Sequence, residues 1–193
     1  MSPLSKEDRR ELLGVARKAI VEAVSRELAS HHTHDSPSLR KPAGAFVTLK
    51  YRRRLRGCVG QPFALDPLEE TVARCAVLAA TSDERFPPIN AGELAELEIE
   101  ISVLSAPEAL AADQVEIGKH GLLVHRGRAR GLLLPQVAIE HRWTRERFLA
   151  ETCEKAGLPP DAWALPDTVL YGFTAEILSE AEFPSELPHA LKP

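Results

Sequence analysis

Residues 46–60 read Phe46-Val47-Thr48-Leu49-Lys50-Tyr51-Arg52-Arg53-Arg54-Leu55-Arg56-Gly57-Cys58-Val59-Gly60. Two apolar segments, 46–50 and 55–60, stand on either side of the polar segment 51–54, which is the pattern of two strands joined by a short connection. We therefore predict a β-hairpin whose second strand carries Cys58.

Further helices and strands are indicated on both sides of this hairpin by capping residues, hydrophobic periodicity and stop residues. The predicted helices run from a cap at Ser5 to about Leu28, from a cap at Asp66 through Ala79, and from a cap at Thr144 to a stop at Gly157. The predicted strands are 97–103, the hairpin 122–125 with 132–134, and a last strand over 169–177.

Hairpins separated by helices, rather than a strict alternation of strand and helix, predict an α+β fold. We expect a compact, mainly antiparallel or mixed β-sheet flanked by helices. The chain has 193 residues, of which 44% are hydrophobic, so we expect a single domain over residues 1–193. Residues from 1 to about 42 are a candidate small N-terminal helical subdomain.

The bulk charge excludes some functions. Lys and Arg total 24 and Asp and Glu total 28, for a net charge of −4, so no general basic field attracts nucleic acid or an anionic membrane. The three cysteines contain no C-x-x-C pair, which favours reduced thiols. The N-terminus lacks a secretory apolar core and no apolar run could span a bilayer. We expect a cytoplasmic protein, and nucleotide-binding and hydrolase motifs are absent from the sequence.

The segment 55–60 is also the first candidate site. In a regular strand, residues i and i+2 share one face, so Arg56 and Cys58 should project together. A neighbouring cation lowers the pKa of a thiol and favours the nucleophilic thiolate. Gly57 and Gly60 lack a Cβ, which permits either unusual backbone angles or close approach by another group. The alternative is structural, with Cys58 a small core residue and the glycines marking a bulge or a crowded crossing.

Two other segments carry candidate site residues. Asp83 and Arg85 precede the rigid pair Pro87-Pro88, where they either bind a ligand or pair with each other. Gln136 and Glu140 are four residues apart and share a face if the segment is helical, as pocket residues or as structural hydrogen-bonding groups.

The histidines and the basic run give weaker signals. His120 is the candidate base for Cys58, with His125 and His141 as competitors. The stretch His31–Asp35 has ligand types suited to zinc or nickel but lacks paired spacing, so no metal site is predicted. The basic run 50–56 suggests an anionic small molecule or an acidic protein partner rather than nucleic acid.

Four motifs in order resemble the AMMECR family, that of AmmeMemoRadiSam system protein A, between about Phe46 and Phe173. They are 55–60, the Asp83/Arg85-Phe86-Pro88 loop, Val103-Leu104-Ser105-Ala106-Pro107-Glu108 and Gly131-Leu132-Leu133-Leu134-Pro135-Gln136-Val137-Ala138. Val59 stands where the family usually has Ile. The resemblance implies an α+β fold, partnership with a Memo-like protein and a radical SAM protein, and added weight on Arg56 and Cys58. It implies no settled reaction, and the sequence identifies no cofactor.

The leading hypothesis is an enzyme or enzyme-system component with a single cleft. Its expected catalytic residues are Cys58, Arg56, Glu140 and His120, and its expected substrate-binding residues are Gly57, Gly60, Asp83, Arg85 and Gln136. The rival hypothesis is a non-catalytic adaptor whose basic hairpin loops dock a partner protein. A nucleic-acid-linked regulator is a weaker alternative.

Overall fold

The computed structural model describes residues 3–26 and 36–183. The stretch His31–Asp35 and the predicted helix end near Leu28 lie outside them. Contacts divide the chain into two compact units, one formed by residues up to Leu104 together with those from Glu176 onward, and the other by Ser105–Ala175. The single-domain expectation and the subdomain at 1–42 stay predictions.

The α+β prediction is confirmed, with four α-helices and eight strands in the described ranges. The helices are α1 (Lys6–Ser25), α2 (Leu68–Thr81), α3 (Pro135–Glu140) and α4 (Arg145–Lys155). The strands are β1 (Gly44–Tyr51), β2 (Arg54–Gln61), β3 (Leu97–Leu104), β4 (Glu108–Ala109), β5 (Gly121–Arg126), β6 (Ala129–Leu133), β7 (Val169–Phe173) and β8 (Ala175–Ser179). They form two four-stranded sheets rather than one, in the orders β2-β1-β3-β8 and β4-β7-β5-β6.

The first sheet is built on the predicted hairpin. β1 pairs antiparallel with β2 on one side and with β3 on the other. Apolar residues of one sheet face pack with α1 and α2 in a common core, which includes Leu12, Ile20, Val47, Leu49, Val72, Ile99 and Ile101, each at most 1% exposed. On the predicted polar face of β3, Glu98 is exposed and Glu100 is partly exposed, whereas Ser102 is buried.

The two helices of this unit begin differently. The Ser5 hydroxyl accepts the backbone N–H of Asp8 at 3.1 Å, as the cap prediction requires. The predicted cap at Asp66 is wrong, because α2 begins after Pro67 and no side chain caps it. The Asp66 carboxylate instead accepts a hydrogen bond from Arg74 at 2.7 Å.

The predicted last strand is interrupted at Thr174. β7 pairs with β5 in the second sheet, whereas β8 lies beside β3 in the first. At the break, the backbone N–H of Ser105 donates to the carbonyl of Thr174, and the N–H of Thr174 donates to the Ser105 hydroxyl, both at 2.9 Å. One alternating apolar pattern therefore serves two sheets, which periodicity alone does not reveal.

The second unit contains the other predicted hairpin and helix. β5 and β6 pair antiparallel, and the Thr144 hydroxyl caps α4. Gly157 follows α4 with a φ of 72°, in the left-handed region that favours glycine. The core of this unit includes Leu122, Phe148 and Leu149. Among the described residues of the whole chain, no helix is both long and apolar enough to cross a membrane.

Candidate functional site

Cys58 lies on β2, an edge strand of the first sheet. A Cβ on its neighbour Gly57 would come within 2.2 Å of the Ala79 carbonyl oxygen in α2, so position 57 faces the helix. Cys58 therefore faces the opposite side of the sheet. There its half-buried thiol accepts a hydrogen bond from the hydroxyl of Thr48, the cross-strand neighbour, with Oγ1 and Sγ 3.4 Å apart.

The backbone of Cys58 is held by the edge loop, which we define as Asp83–Pro88. The Asp83 carboxylate accepts the Cys58 N–H at 2.8 Å. Arg85 Nη2 donates to the Cys58 carbonyl oxygen at 3.1 Å and to Asp83 Oδ2 at 2.7 Å. The side chains of Asp83 and Arg85 thus hydrogen-bond to the Cys58 N–H and carbonyl, with which a further strand could otherwise pair at this edge.

The charges in this arrangement reinforce one another. Hydrogen bonds from Arg85 are the main reason why the pKa of Asp83 lies well below its usual range. The pKa of Arg85 is raised in turn, chiefly by its hydrogen bonds to Asp83. The side chain of Asp83 is 6% exposed and that of Arg85 is 56% exposed. The guanidinium therefore anchors the loop and also presents positive charge to solvent beside Cys58.

The regular alternation from which Arg56 was predicted to lie beside Cys58 is interrupted at Arg56. β2 has a bulge at this point, because Leu49 pairs with Gly57 while Lys50 pairs with Leu55, so Arg56 is the extra residue. Its guanidinium donates to Glu93 at 2.7 Å and to the carbonyl oxygens of Pro87 and Pro88 at 2.7 and 3.2 Å. Arg56 thus holds the far end of the edge loop.

The basic run of the hairpin is largely neutralised by glutamates. Lys50 pairs with Glu100 at 3.0 Å, Arg52 with Glu96 at 2.9 Å and Arg56 with Glu93 at 2.7 Å. Arg53 and Arg54 are exposed near the tip. Sequence reasoning missed the roles of Thr48 and of the three paired glutamates. For Glu100, its place on the polar face of β3 was the available signal.

The two glycines of the segment are required by packing. Gly57 faces α2, as above, and a Cβ on Gly60 would come within 2.2 Å of the Phe46 ring. These contacts match the structural alternative for the glycines. Their predicted contact with a substrate stays a prediction.

The other predicted site residues lie in the second unit. His120 Nδ1 accepts the backbone N–H of Glu116 at 3.1 Å, which closes a turn. Gln136 and Glu140 are on α3, and Glu140 is exposed. The structure therefore brings Cys58, Asp83 and Arg85 together in the first unit, while a role for His120, Gln136 and Glu140 beside Cys58 stays a prediction.

Cys58 is the accessible thiol of the chain. Cys75 is 2% exposed and Cys153 is fully buried, and burial raises the pKa of both. Within residues 3–26 and 36–183, no group of three His, Cys, Asp or Glu side chains is placed to hold a metal ion.

Comparison with known proteins gives one consistent result. The profile of the AMMECR1 family matches residues 13–178. A protein of Thermococcus gammatolerans is 46% identical over 185 residues, covering 90% of each chain. A protein of Methanothermobacter thermautotrophicus is 43% identical over 187 residues, covering 93% of this chain and 97% of its own. The crystal structure of an uncharacterized protein from Pyrococcus horikoshii is similar with a TM-score of 0.81 and 41% identity, over 88% of this chain and 90% of that one.

Proposed function

The chain belongs to the AMMECR1 family, and from that premise we propose that it is an enzyme, or a component of an enzyme system, that acts through the Cys58 thiol on an anionic substrate. The observation that carries this proposal is the placement of Arg85. Its exposed guanidinium hydrogen-bonds to the backbone of the residue that bears the accessible thiol.

Each group near the thiol has a distinct part in the proposal. Cys58 is the nucleophile or covalent carrier. The Thr48 hydroxyl donates to the sulfur and stabilises negative charge that develops there. Arg85 attracts a carboxylate or phosphate group of the substrate. Asp83 fixes Arg85, and Arg56 positions the loop that carries both.

This assignment changes the part of Arg56 from the one expected from sequence. The Arg56 side chain is 14% exposed and is already bound to Glu93, so it is a poor binding group for an incoming anion. Arg85 is exposed and is therefore the better anion-binding group. The proposal draws on residues of the first unit alone, and proton transfer by His120 or Glu140 stays a prediction.

The test compares two alkylating reagents of similar size on the native protein. Iodoacetate carries a carboxylate and iodoacetamide is neutral, so the ratio of their rates at Cys58 reports local positive charge. We expect Arg85→Gln to lower that ratio about fivefold, the effect of an exposed charge interaction near 1 kcal/mol. Rates are measured by mass spectrometry of the peptide that contains Cys58, with Cys58→Ser as the blank.

Two control variants separate charge from loop structure. Arg85→Lys keeps the charge and should keep most of the preference for iodoacetate. Arg54→Gln removes an exposed charge from β2, the strand that carries Cys58, without changing the edge loop. If native Cys58 fails to react, or if Arg54→Gln lowers the ratio as much as Arg85→Gln, the thiol site is wrong and the adaptor function is favoured.

The hairpin tip supports a second, compatible function in partner docking. Arg53 and Arg54 are exposed there, and Leu55 is 45% exposed. An acidic surface on a partner would complement these charges. We propose this tip as the contact for the Memo-like or radical SAM partner that the resemblance implies. Arg53 and Arg54 alone make a weak footprint for nucleic acid, which requires contacts to many phosphates.

A further inference from the structure

The second unit contains a cavity of about 330 Å³, and none of the site residues described above lines it. It lies between the beginning of α4 and two short 3₁₀ turns, Ala112–Gln114 and Ala162–Ala164. Its lining residues are Ala112, Asp113, Arg145, Glu146, Leu149 and Trp163. Its volume is within the range typical of small-molecule sites.

The cavity has an apolar wall with a fixed aromatic ring. Leu149 is 2% exposed, and Trp163 is half-buried. Ala162 beside it is fully buried with Val124 and Cys153, and Trp163 packs against this cluster and against the one that contains Phe148 and Leu149. Packing against Phe148, Leu149 and Cys153 of α4 therefore holds the Trp163 side chain in place, which favours a preformed binding surface.

The polar lining carries a net negative charge. Arg145 Nη1 donates to the Asp113 carbonyl oxygen at 2.8 Å, and Arg145 Nη2 lies 3.5 Å from Glu146 Oε1. Arg145 thus contacts the Glu146 carboxylate and the main chain at Asp113, and with the Asp113 side chain counted the lining has two carboxylates to one guanidinium. The pKa of Glu146 is lowered, first by its own backbone N–H at the start of α4 and then by the Thr144 hydroxyl. Glu146 is therefore anionic at neutral pH.

We propose that this cavity binds a small organic cation, an amine attached to an aromatic or aliphatic body. The volume accommodates about eleven water-sized groups, which sets the size of the ligand. The indole face attracts a cation and also packs against an apolar body, and Trp is the best side chain for this interaction. Excess carboxylate charge favours an ammonium group and disfavours a carboxylate of the same shape.

The experiment compares 2-phenylethylamine with 3-phenylpropionate, which share the ring and differ in the sign of charge. The probe is the indole N–H signal of Trp163 in the NMR spectrum of the ¹⁵N-labelled full chain, assigned with a Trp163→Phe variant. We expect a saturable shift of that signal by the amine with a Kd of about 1 mM or tighter, and binding of the carboxylate at least about tenfold weaker.

Variants on one helix provide the matched comparison. Glu146→Gln removes a lining carboxylate and should weaken amine binding about threefold to fivefold. Glu154→Gln removes an exposed carboxylate from the same helix outside the cavity and should leave binding unchanged. The proposal is overturned if the amine gives no saturable shift, if 3-phenylpropionate binds as tightly, or if the two variants weaken binding equally.

Discussion

The Asp83 carboxylate accepts the backbone N–H of Cys58 at 2.8 Å from a position 25 residues further along the chain. Arg85, two residues after Asp83, donates to the carbonyl of the same cysteine. Together these side chains do what a neighbouring strand would do for the edge strand β2. The orientation of the Cys58 thiol therefore depends on an ionised Asp83 and on its partner.

Asp83→Asn should destabilise the protein by about 2–3 kcal/mol at neutral pH, because a buried charged acceptor is lost. The pKa of Asp83 is depressed in the folded state. Its stabilising contribution is therefore complete above the unfolded-state pKa of about 3.9 and declines as the pH falls below it toward the folded-state pKa. The free-energy gap between wild type and variant should narrow by about 1 kcal/mol between pH 6 and pH 3.

Urea unfolding at the two pH values measures this gap. Asp66→Asn is the matched control, since Asp66 also pairs with an arginine but is 40% exposed. The interpretation fails if the Asp83→Asn gap is constant over this pH range, or if the Asp66→Asn gap narrows equally.

Two Arg–Glu pairs of the same hairpin should differ in their effect on stability. Arg56 and Glu93 are each 14% exposed, whereas Arg52 and Glu96 are 67% and 50% exposed. Arg56→Met should cost about 3 kcal/mol, because it removes the cation that pairs with the largely buried Glu93 and the donor to two carbonyl groups. Arg52→Met should leave the unfolding midpoint unchanged, because solvent screens that pair. Equal losses in chemical denaturation would contradict the structural role given to Arg56.

The Arg56 contact also shows the limit of the sequence analysis. The pattern of apolar residues predicted β1, β2 and the core-facing side of β3, and capping residues predicted the start of α1. Alternation also predicted Arg56 beside Cys58, but a bulge changes the register at Arg56, so alternation does not decide this placement and it stays a prediction. A bulge depends on contacts between distant segments, here with Pro87, Pro88 and Glu93. Local patterns therefore found Cys58, Asp83 and Arg85, but missed the hydrogen bonds of Asp83 and Arg85 to the Cys58 backbone and the contact of Thr48 with its thiol.

The two glycines around Cys58 should respond differently to alanine. Gly57→Ala sets a Cβ against the backbone of Ala79, which cannot turn away, so we expect a loss of about 3 kcal/mol or failure to fold. The added Cβ in Gly60→Ala meets the Phe46 ring, and a smaller side chain at position 46 should relieve the clash. A double-mutant cycle with Phe46→Leu should give a favourable coupling of about 1 kcal/mol for Gly60→Ala. Absence of coupling would show that the ring is not the obstacle.

A substitution at the hairpin tip should change the stability of the protein and its partner binding in opposite directions. Arg52 and Arg53 have φ values of 51° and 64°, in the left-handed region that costs a non-glycine residue about 1–2 kcal/mol. Arg53→Gly should therefore stabilise the protein by about 0.5–1 kcal/mol, after the greater chain entropy of unfolded glycine is subtracted. If the tip docks an acidic partner, the same variant should weaken binding of the purified Memo-like protein, measured by calorimetry.

Arg54→Gln completes this comparison, because Arg54 lacks the strained backbone but shares the exposed charge. It should weaken partner binding without a gain in stability. A variant that is more stable yet binds less would mean that the arginine at position 53 is kept for its charge, despite its conformational cost. Unchanged binding in both variants would remove the docking role from the tip, and would leave the strained turn without a functional reason.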